Sequence, residues 1–100
     1  MEILVSIIMP IRNQERFLNE SINSLLKQTY KNIEIIVVDD KSTDESRKIL
    51  ISFRKRYKRI RLIQNKKQYG ISVCLNRALK RAKGTFIAFG HHALQRYAEM

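Results

Sequence analysis

Residues Glu34–Ser46 read EIIVVDDKSTDES. Ile35–Val38 are four consecutive β-branched residues, which favour extended backbone. A half-exposed strand would alternate apolar with polar side chains, so a continuous run predicts a strand buried on both faces, as in a parallel sheet. Asp39 and Asp40 follow without a spacer, and Ser42 with Glu45 form an S-x-x-E capping box that predicts a helix from about Thr43 to Tyr57. A strand feeding a helix through a short polar turn is one half of a β-α-β unit. In open parallel sheets ligands bind beyond the carboxyl ends of the strands, and this is where the two carboxylates stand. On an extended backbone they point to opposite sides. One can turn toward a ligand while the other turns toward backbone. A carboxylate there accepts hydrogen bonds from an imide or hydroxyl donor. Equally, both acids could serve only to favour the following helix N-terminus.

The same alternation of periods extends in both directions. Upstream, ILVSIIM (Ile3–Met9) predicts a first buried strand that Pro10 stops, and Leu18, Ile22, Leu25 and Leu26 recur at helical spacing over Glu15–Lys27. Downstream, Ile60–Ile63 predicts a third strand, and Asn65–Gly70 a loop. Ile71, Leu75, Ala78, Leu79 and Ala82 then mark a third helix, with Gly84 as its C′ glycine. TFIAF (Thr85–Phe89) predicts a fourth strand. The order β-α-β-α-β-α-β predicts an α/β fold: a mostly parallel sheet of about four strands with helices on both faces, joined by right-handed crossovers.

Composition narrows the class. One hundred residues suit one small domain, and no apolar run approaches the ~18 residues of a membrane span. MEILVSIIMPIRN carries an acid where a secretory leader carries bases, so no leader is expected and the expected location is the cytoplasm. The lone Cys74 cannot form an internal disulfide and, inside a helical pattern, is expected to be a small buried hydrophobe. The formal net charge is +11, much of it in Arg47–Arg61. There Ile49, Leu50, Phe53 and Tyr57 share one helical face and the bases take the others. This is the pattern of a solvated helix, or of a peripheral contact with anionic lipid headgroups. No nucleic-acid motif accompanies it, and no specific nucleic-acid partner is expected. The first turn, PIRNQE, lacks the glycine-rich dinucleotide fingerprint, and there is no P-loop. A receiver domain would need a third acid that the chain does not supply.

Taken together, VSIIMPIRNQERFL (Val5–Leu18), SINSLLKQTYKNIEIIVVDDKSTDES (Ser21–Ser46) and GISVCLNRALKRAKGTFIAF (Gly70–Phe89) resemble the N-terminal half of a family 2 glycosyltransferase of the GT-A fold. The resemblance covers about residues 3–89, with its motifs in order. It implies a Rossmann-like half-domain over residues 1–90 that holds a nucleotide-diphospho-sugar, a UDP-sugar above all. Pro10, Ile11 and Arg12 would lie against the nucleobase, with Arg12 stacking its guanidinium where many relatives place an aromatic ring. Asn13 and Glu15 match the first loop, Asp40 the acid that binds the uracil edge, and Asp39 its neighbour. Gly70, Ser72 and Asn76 match the segment near ribose and diphosphate, where a helix N-terminus favours phosphate.

The chain departs from the family pattern after Phe89. Relatives carry an acidic motif there for Mn²⁺ or Mg²⁺, whereas this chain has Gly90-His91-His92-Ala93. Hard cations prefer oxygen, so no metal ligand is expected, and residues 91–100 form an atypical tail. LQRYAEM is similar to a helix beyond that motif in relatives, as a short deletion would leave it. The family's catalytic base belongs to a C-terminal half absent here. The expected activity, inverting transfer to an acceptor hydroxyl as in polysaccharide assembly, would therefore be silent in this chain alone. The alternatives are a non-catalytic uridine-nucleotide-binding module, or an interaction module that oligomerises through its unfinished core face.

Overall fold

A computed structural model of the chain describes residues 3–90. Its elements alternate without exception: β1 (Val5–Ile11), α1 (Glu15–Lys27), β2 (Ile33–Asp39), α2 (Ser46–Arg56), β3 (Ile60–Gln64), α3 (Ile71–Arg81) and β4 (Phe86–Phe89). The strands form one four-stranded, wholly parallel sheet in the order β3-β2-β1-β4. The chain steps outward from β1 to β2 to β3, then returns across the sheet to place β4 beside β1. With right-handed crossovers this reversal puts α3 on the opposite face from α1 and α2.

Two cores result. On one face Ile7, Met9 and Ile11 of β1 and Ile33, Ile35 and Val37 of β2 meet Leu18, Ile22 and Leu26 of α1 and Leu50 and Phe53 of α2. On the other, Ile8, Ile36 and Val38 meet Cys74 and Ala78 of α3. The β2 run is buried on both faces because alternate residues feed both cores. Small residues at positions 74 and 78 let α3 lie close to the sheet. The far strand differs: Phe86, Ile87 and Phe89 of β4 are exposed. A continuous apolar run fits a strand covered on both faces, but among the described residues β4 is an edge strand, with Ala88 alone packed against the first core. Among the described residues no helix is long and apolar enough to cross a membrane.

Three local expectations are corrected. β1 does not stop at Pro10 but continues through it to Ile11. Even-numbered residues of β1 direct their backbone toward β4, as the bond from Gly90 N to Ile8 O shows. The β4 pairing ends with Phe89 opposite Ile8, so the N–H that proline lacks would face no strand. Gly84 is not the C′ residue of α3, which ends at Arg81 with Ala82 as its cap. A Cβ at Gly84 would instead lie 2.5 Å from Ser6 Oγ and 2.8 Å from Leu4 O. The glycine therefore lets the α3–β4 turn press against β1. Finally, α2 begins at Ser46, not near Thr43, and the Ser42–Glu45 pair does not cap it.

Candidate functional site

The side chains of Ser42, Asp44 and Ser46 cap the entry to α1, and so explain why the S-x-x-E motif is not used locally. The backbone N–H of Asn13 donates to Ser42 Oγ (3.0 Å), that of Gln14 to Ser46 Oγ (2.8 Å) and that of Glu15 to Asp44 Oδ2 (3.2 Å). Glu15 N–H is an orphan donor of the first turn of α1, and the other two belong to the residues leading into it. In return Asn13 Oδ1 accepts the backbone N–H groups of Thr43 (2.7 Å) and Asp44 (3.3 Å). The β1–α1 and β2–α2 turns thus cap each other. Asn13 and Lys41 pass through positive φ, 52° and 62°, to make this fit. Asn tolerates that region through its short polar side chain, whereas Lys has no such compensation. Burial works against ionisation of Asp44, but hydrogen bonds from the Ser46 hydroxyl and backbone and from Glu15 N–H hold its carboxyl below the usual range.

The two central aspartates take different directions, as the extended backbone requires. Asp39 Oδ1 accepts both the backbone N–H (3.1 Å) and the hydroxyl (2.5 Å) of Ser42. Its side chain lines an open pocket of about 230 Å³ together with Lys41, Ser42, Arg47, Gln64, Asn65 and Lys66. Asp40 is wholly buried. Its Oδ1 accepts Asn65 Nδ2 (2.9 Å) and Tyr69 N–H (2.8 Å), and its Oδ2 accepts Gly70 N–H (2.9 Å). Gly70, at φ 91° and ψ 169°, occupies a region open essentially only to glycine and starts α3. Asp40 therefore fixes the β3–α3 loop. Arg77 completes this corner, donating to Asn65 Oδ1 at 3.2 Å while its guanidinium lies 4.8 Å from the centre of the Tyr69 ring. Cys74 is buried beneath the same corner. Burial first, then the Asp40 charge, pushes its thiol up to about 12, so it is no nucleophile.

Across the carboxyl edge Ile11, Asp39 and Gln64 lie in register on three neighbouring strands. Among the described residues two buried side-chain donors at this edge have no hydrogen-bond partner: Arg12 Nε, just past Ile11, and Gln64 Nε2. A buried donor without a partner is costly, and here two such donors flank an aspartate.

The remaining anticipated positions divide. Pro10 and Ile11 are buried under the β1 turn, and Arg12, Asn13 and Glu15 stand around its exit. Ser72 and Asn76 are exposed. Each is two residues from the buried Cys74, about 200° around the helix, so they sit on the outer face of α3, apart from the pocket. Lys41, Arg47, Gln64 and Lys66 were not anticipated. Gln64 ends a strand that the sequence closes one residue earlier, and the three cations look like ordinary surface charge until the turns bring them together. His91 and His92 lie outside the described residues. Among the described residues no three His, Cys, Asp or Glu side chains cluster as a metal seat. The acids of the turns, Asp39, Asp40 and Asp44, are already engaged with hydroxyl, amide or backbone donors. They do not fit a hard divalent ion as they stand.

Known proteins share this architecture. The sequence profile of Glycosyl transferase family 2 matches residues 6–91. The UDP-Glc:alpha-D-GlcNAc-diphosphoundecaprenol beta-1,3-glucosyltransferase WfgD of Escherichia coli is 48% identical over 86 residues, 86% of this chain and 33% of its own. The putative glycosyltransferase EpsE of Bacillus subtilis is 48% identical over 85 residues, 84% of this chain and 31% of its own. This chain spans about a third of the length of these curated relatives. Among solved structures, the S. aureus protein TarS in complex with UDP-GlcNAc superposes with a TM-score of 0.77 at 33% identity, over 88% of this chain and 26% of that one. The Pyrobaculum calidifontis mannosyltransferase PcManGT, in complex with GDP-Man and Mn²⁺, reaches 0.78 at 24% identity, over 86% and 27%, and supports the fold.

Proposed function

The chain belongs to Glycosyl transferase family 2, and from that premise we propose that it binds a uridine-diphosphate sugar across the carboxyl edge of its sheet. In this reading it is the donor-holding part of a transferase that moves the sugar, with inversion, to an acceptor hydroxyl. The observation that carries the reading is Asp39 on β2 in register with Gln64 on β3 and with Ile11 on β1, the residue before Arg12, while Gln64 Nε2 and Arg12 Nε have no partner among the described residues. The edge of uracil has the complementary order, an N3–H donor between two carbonyl acceptors. Asp39 would accept the N3–H, while Arg12 Nε and Gln64 Nε2 would donate to the flanking oxygens. Asp40 acts through the loop it fixes, setting the position of Gly70 and the start of α3. Lys41, Arg47 and Lys66 offer positive charge to the diphosphate. The UDP-GlcNAc and UDP complexes of TarS favour uridine over other bases.

Transfer needs a general base for the acceptor hydroxyl. Asp40 and Asp44 are held by the turns and Asp39 is assigned to the base, so in this reading the described residues bind and orient the donor, and none of these three aspartates deprotonates the acceptor. Mn²⁺ or Mg²⁺ would stabilise the leaving diphosphate in family members that hold one, but the described residues do not fit one. A second reading, a module that self-associates, is favoured by the exposed apolar side chains Leu79, Ile87 and Phe89. Ile87 and Phe89 pair with Ser6 and Ile8, and so lie on the α3 face of the edge strand.

Titration calorimetry of the chain with UDP, GDP and CDP tests the first reading. UDP is expected to bind tightest, with Arg12→Ala, Asp39→Asn and Gln64→Ala each weakening it about tenfold, the loss of one hydrogen bond involving a charged or buried group. UDP binding indifferent to all three changes overturns the assignment. Sugar transfer by the purified chain, abolished by Asp40→Ala, overturns its silence. Sedimentation as a strict monomer excludes self-association.

A further inference from the structure

Between Ser46 and Gly90 the chain carries fourteen Lys and Arg residues and no Asp or Glu, and the fold gathers much of that charge at one pole. In a β-α-β sheet every helix runs back against the strands, so helix C-termini lie at the amino edge, opposite the nucleotide site. The last turns of α1, α2 and α3 contain Lys27, the run Arg54–Arg56 and the pair Lys80–Arg81. The turns that follow add Lys31, Lys58 and Lys83. Among the described residues the acid at this edge is Glu34, which is buried and paired with Arg61 Nη1 at 2.9 Å. Complementing three helix dipoles accounts for the last-turn bases, but not for the turn lysines or for the apolar side chains among them.

Those side chains are Ile3, Tyr30 and Phe86, which are 47%, 42% and 59% exposed. They form a group. The Tyr30 hydroxyl donates to the Ile3 carbonyl, and Phe86 is in register with Val5, two residues beyond Ile3. Lys31 directly follows Tyr30, and Arg59 Nη1 donates to its carbonyl at 3.2 Å. Lys83 stands three residues before Phe86. Exposed aromatic and aliphatic side chains at an edge rich in lysine, with no exposed acid beside them among the described residues, match a membrane interface, where apolar side chains enter the headgroup boundary and bases meet anionic lipid.

We propose that the amino edge of the sheet is a docking surface for an anionic phospholipid bilayer. Bound this way, the chain holds its carboxyl edge, and a soluble nucleotide sugar, one strand length above the lipid, about 20 Å for seven residues. The surface does not depend on the nucleotide reading, since no residue is shared.

Flotation of the chain with vesicles of phosphatidylcholine, alone or mixed with phosphatidylglycerol, tests it. Binding is expected only to the mixed vesicles, and to weaken with salt. Reversal of the pole by Lys55→Glu, Lys58→Glu and Lys83→Glu is expected to abolish it, since each basic residue contributes roughly fivefold in partition. The same net change elsewhere, Arg16→Glu, Lys48→Glu and Lys67→Glu, is expected to leave most of it. Ile3→Ser with Phe86→Ser is expected to weaken binding at unchanged charge, with far-UV circular dichroism confirming that the exposed positions leave the fold intact. Equal loss from both charge reversals would reduce the effect to net charge and overturn the proposal. Tighter binding to a short single-stranded DNA than to the vesicles, lost on the same pole reversal, would overturn it in favour of a nucleic acid.

Discussion

Asn13 Oδ1 accepts the backbone N–H of Thr43 at 2.7 Å across thirty residues of chain. Since it also accepts from Asp44 N–H, one side-chain oxygen holds the two turns that frame the nucleotide edge. Asn13→Ala leaves both donors unpaired and puts alanine at φ 52°, where it lacks the local hydrogen bonds that let Asn adopt it. The expected cost is about 3 kcal/mol in urea unfolding, with weaker UDP binding as the turns part. Asn13→Asp keeps the acceptor and is expected to restore most of the stability.

Lys41 reaches φ 62° directly after the buried Asp40, and among the described residues no side-chain hydrogen bond of its own offsets the strain. Lys41→Gly is expected to raise stability by about 1 kcal/mol, because the penalty of the left-handed region disappears. For a chain of this size that is a rise of roughly 4–8 °C in Tm. An unchanged or lower melting point would mean that the unfolded-state entropy gained by glycine outweighs the relieved strain.

Both substitutions concern contacts between turns, the level at which the sequence was least legible. The run Ile35–Val38 and the helical spacing of Leu18, Ile22 and Leu26 led directly to a parallel α/β sheet, because periodicity reports which faces are covered. The opposite directions of Asp39 and Asp40 also followed from extended geometry. Ser42 was misread because S-x-x-E describes a partner three residues away, whereas its hydroxyl serves Asp39 and the N–H of Asn13, twenty-nine residues back. Gly84 was misread for a similar reason, since the backbone it must approach lies seventy-eight residues earlier. TFIAF is apolar whether or not its second neighbour is present, so the run could not reveal an edge strand.

Gly84 supplies a direct test of that close approach. Its N–H donates to Ser6 Oγ at 2.8 Å, and an added methyl would collide with both that hydroxyl and the Leu4 carbonyl. Neither obstacle can swing aside without losing a bond, because Thr85 N–H donates to the Leu4 carbonyl and Ser6 Oγ itself donates to Glu34. Gly84→Ala is expected to destabilise the chain by about 3 kcal/mol, at the upper end of overpacking, and to loosen β4 first. Hydrogen exchange would show faster amide exchange along Phe86–Phe89 than along β2.

Glu34 makes the stability of this corner depend on pH. It accepts from Ser6 Oγ (2.6 Å), Arg61 Nη1 (2.9 Å) and Lys83 N–H (2.6 Å), tying β1, β2, β3 and the α3–β4 turn together. Burial alone would raise its pKa, but the hydrogen bonds from Ser6, Lys83 and Arg61 and the Arg61 charge outweigh it and hold the carboxyl below its ordinary 4.5. Asp44 is likewise held below 3.8. With folded values below unfolded ones, the unfolded chain binds more protons in acid, and stability falls as pH falls. The contribution is fully present above about pH 5 and is lost as the pH drops through the depressed folded values. Urea midpoints are therefore expected to be flat from neutral pH to about 5 and to decline steeply below 4.5. Glu34→Gln is expected to lower the neutral midpoint and flatten the decline, because the amide keeps one acceptor but no titrating charge. A Glu34→Gln profile parallel to that of the unsubstituted chain would assign the acid sensitivity to Asp44 and its turn instead.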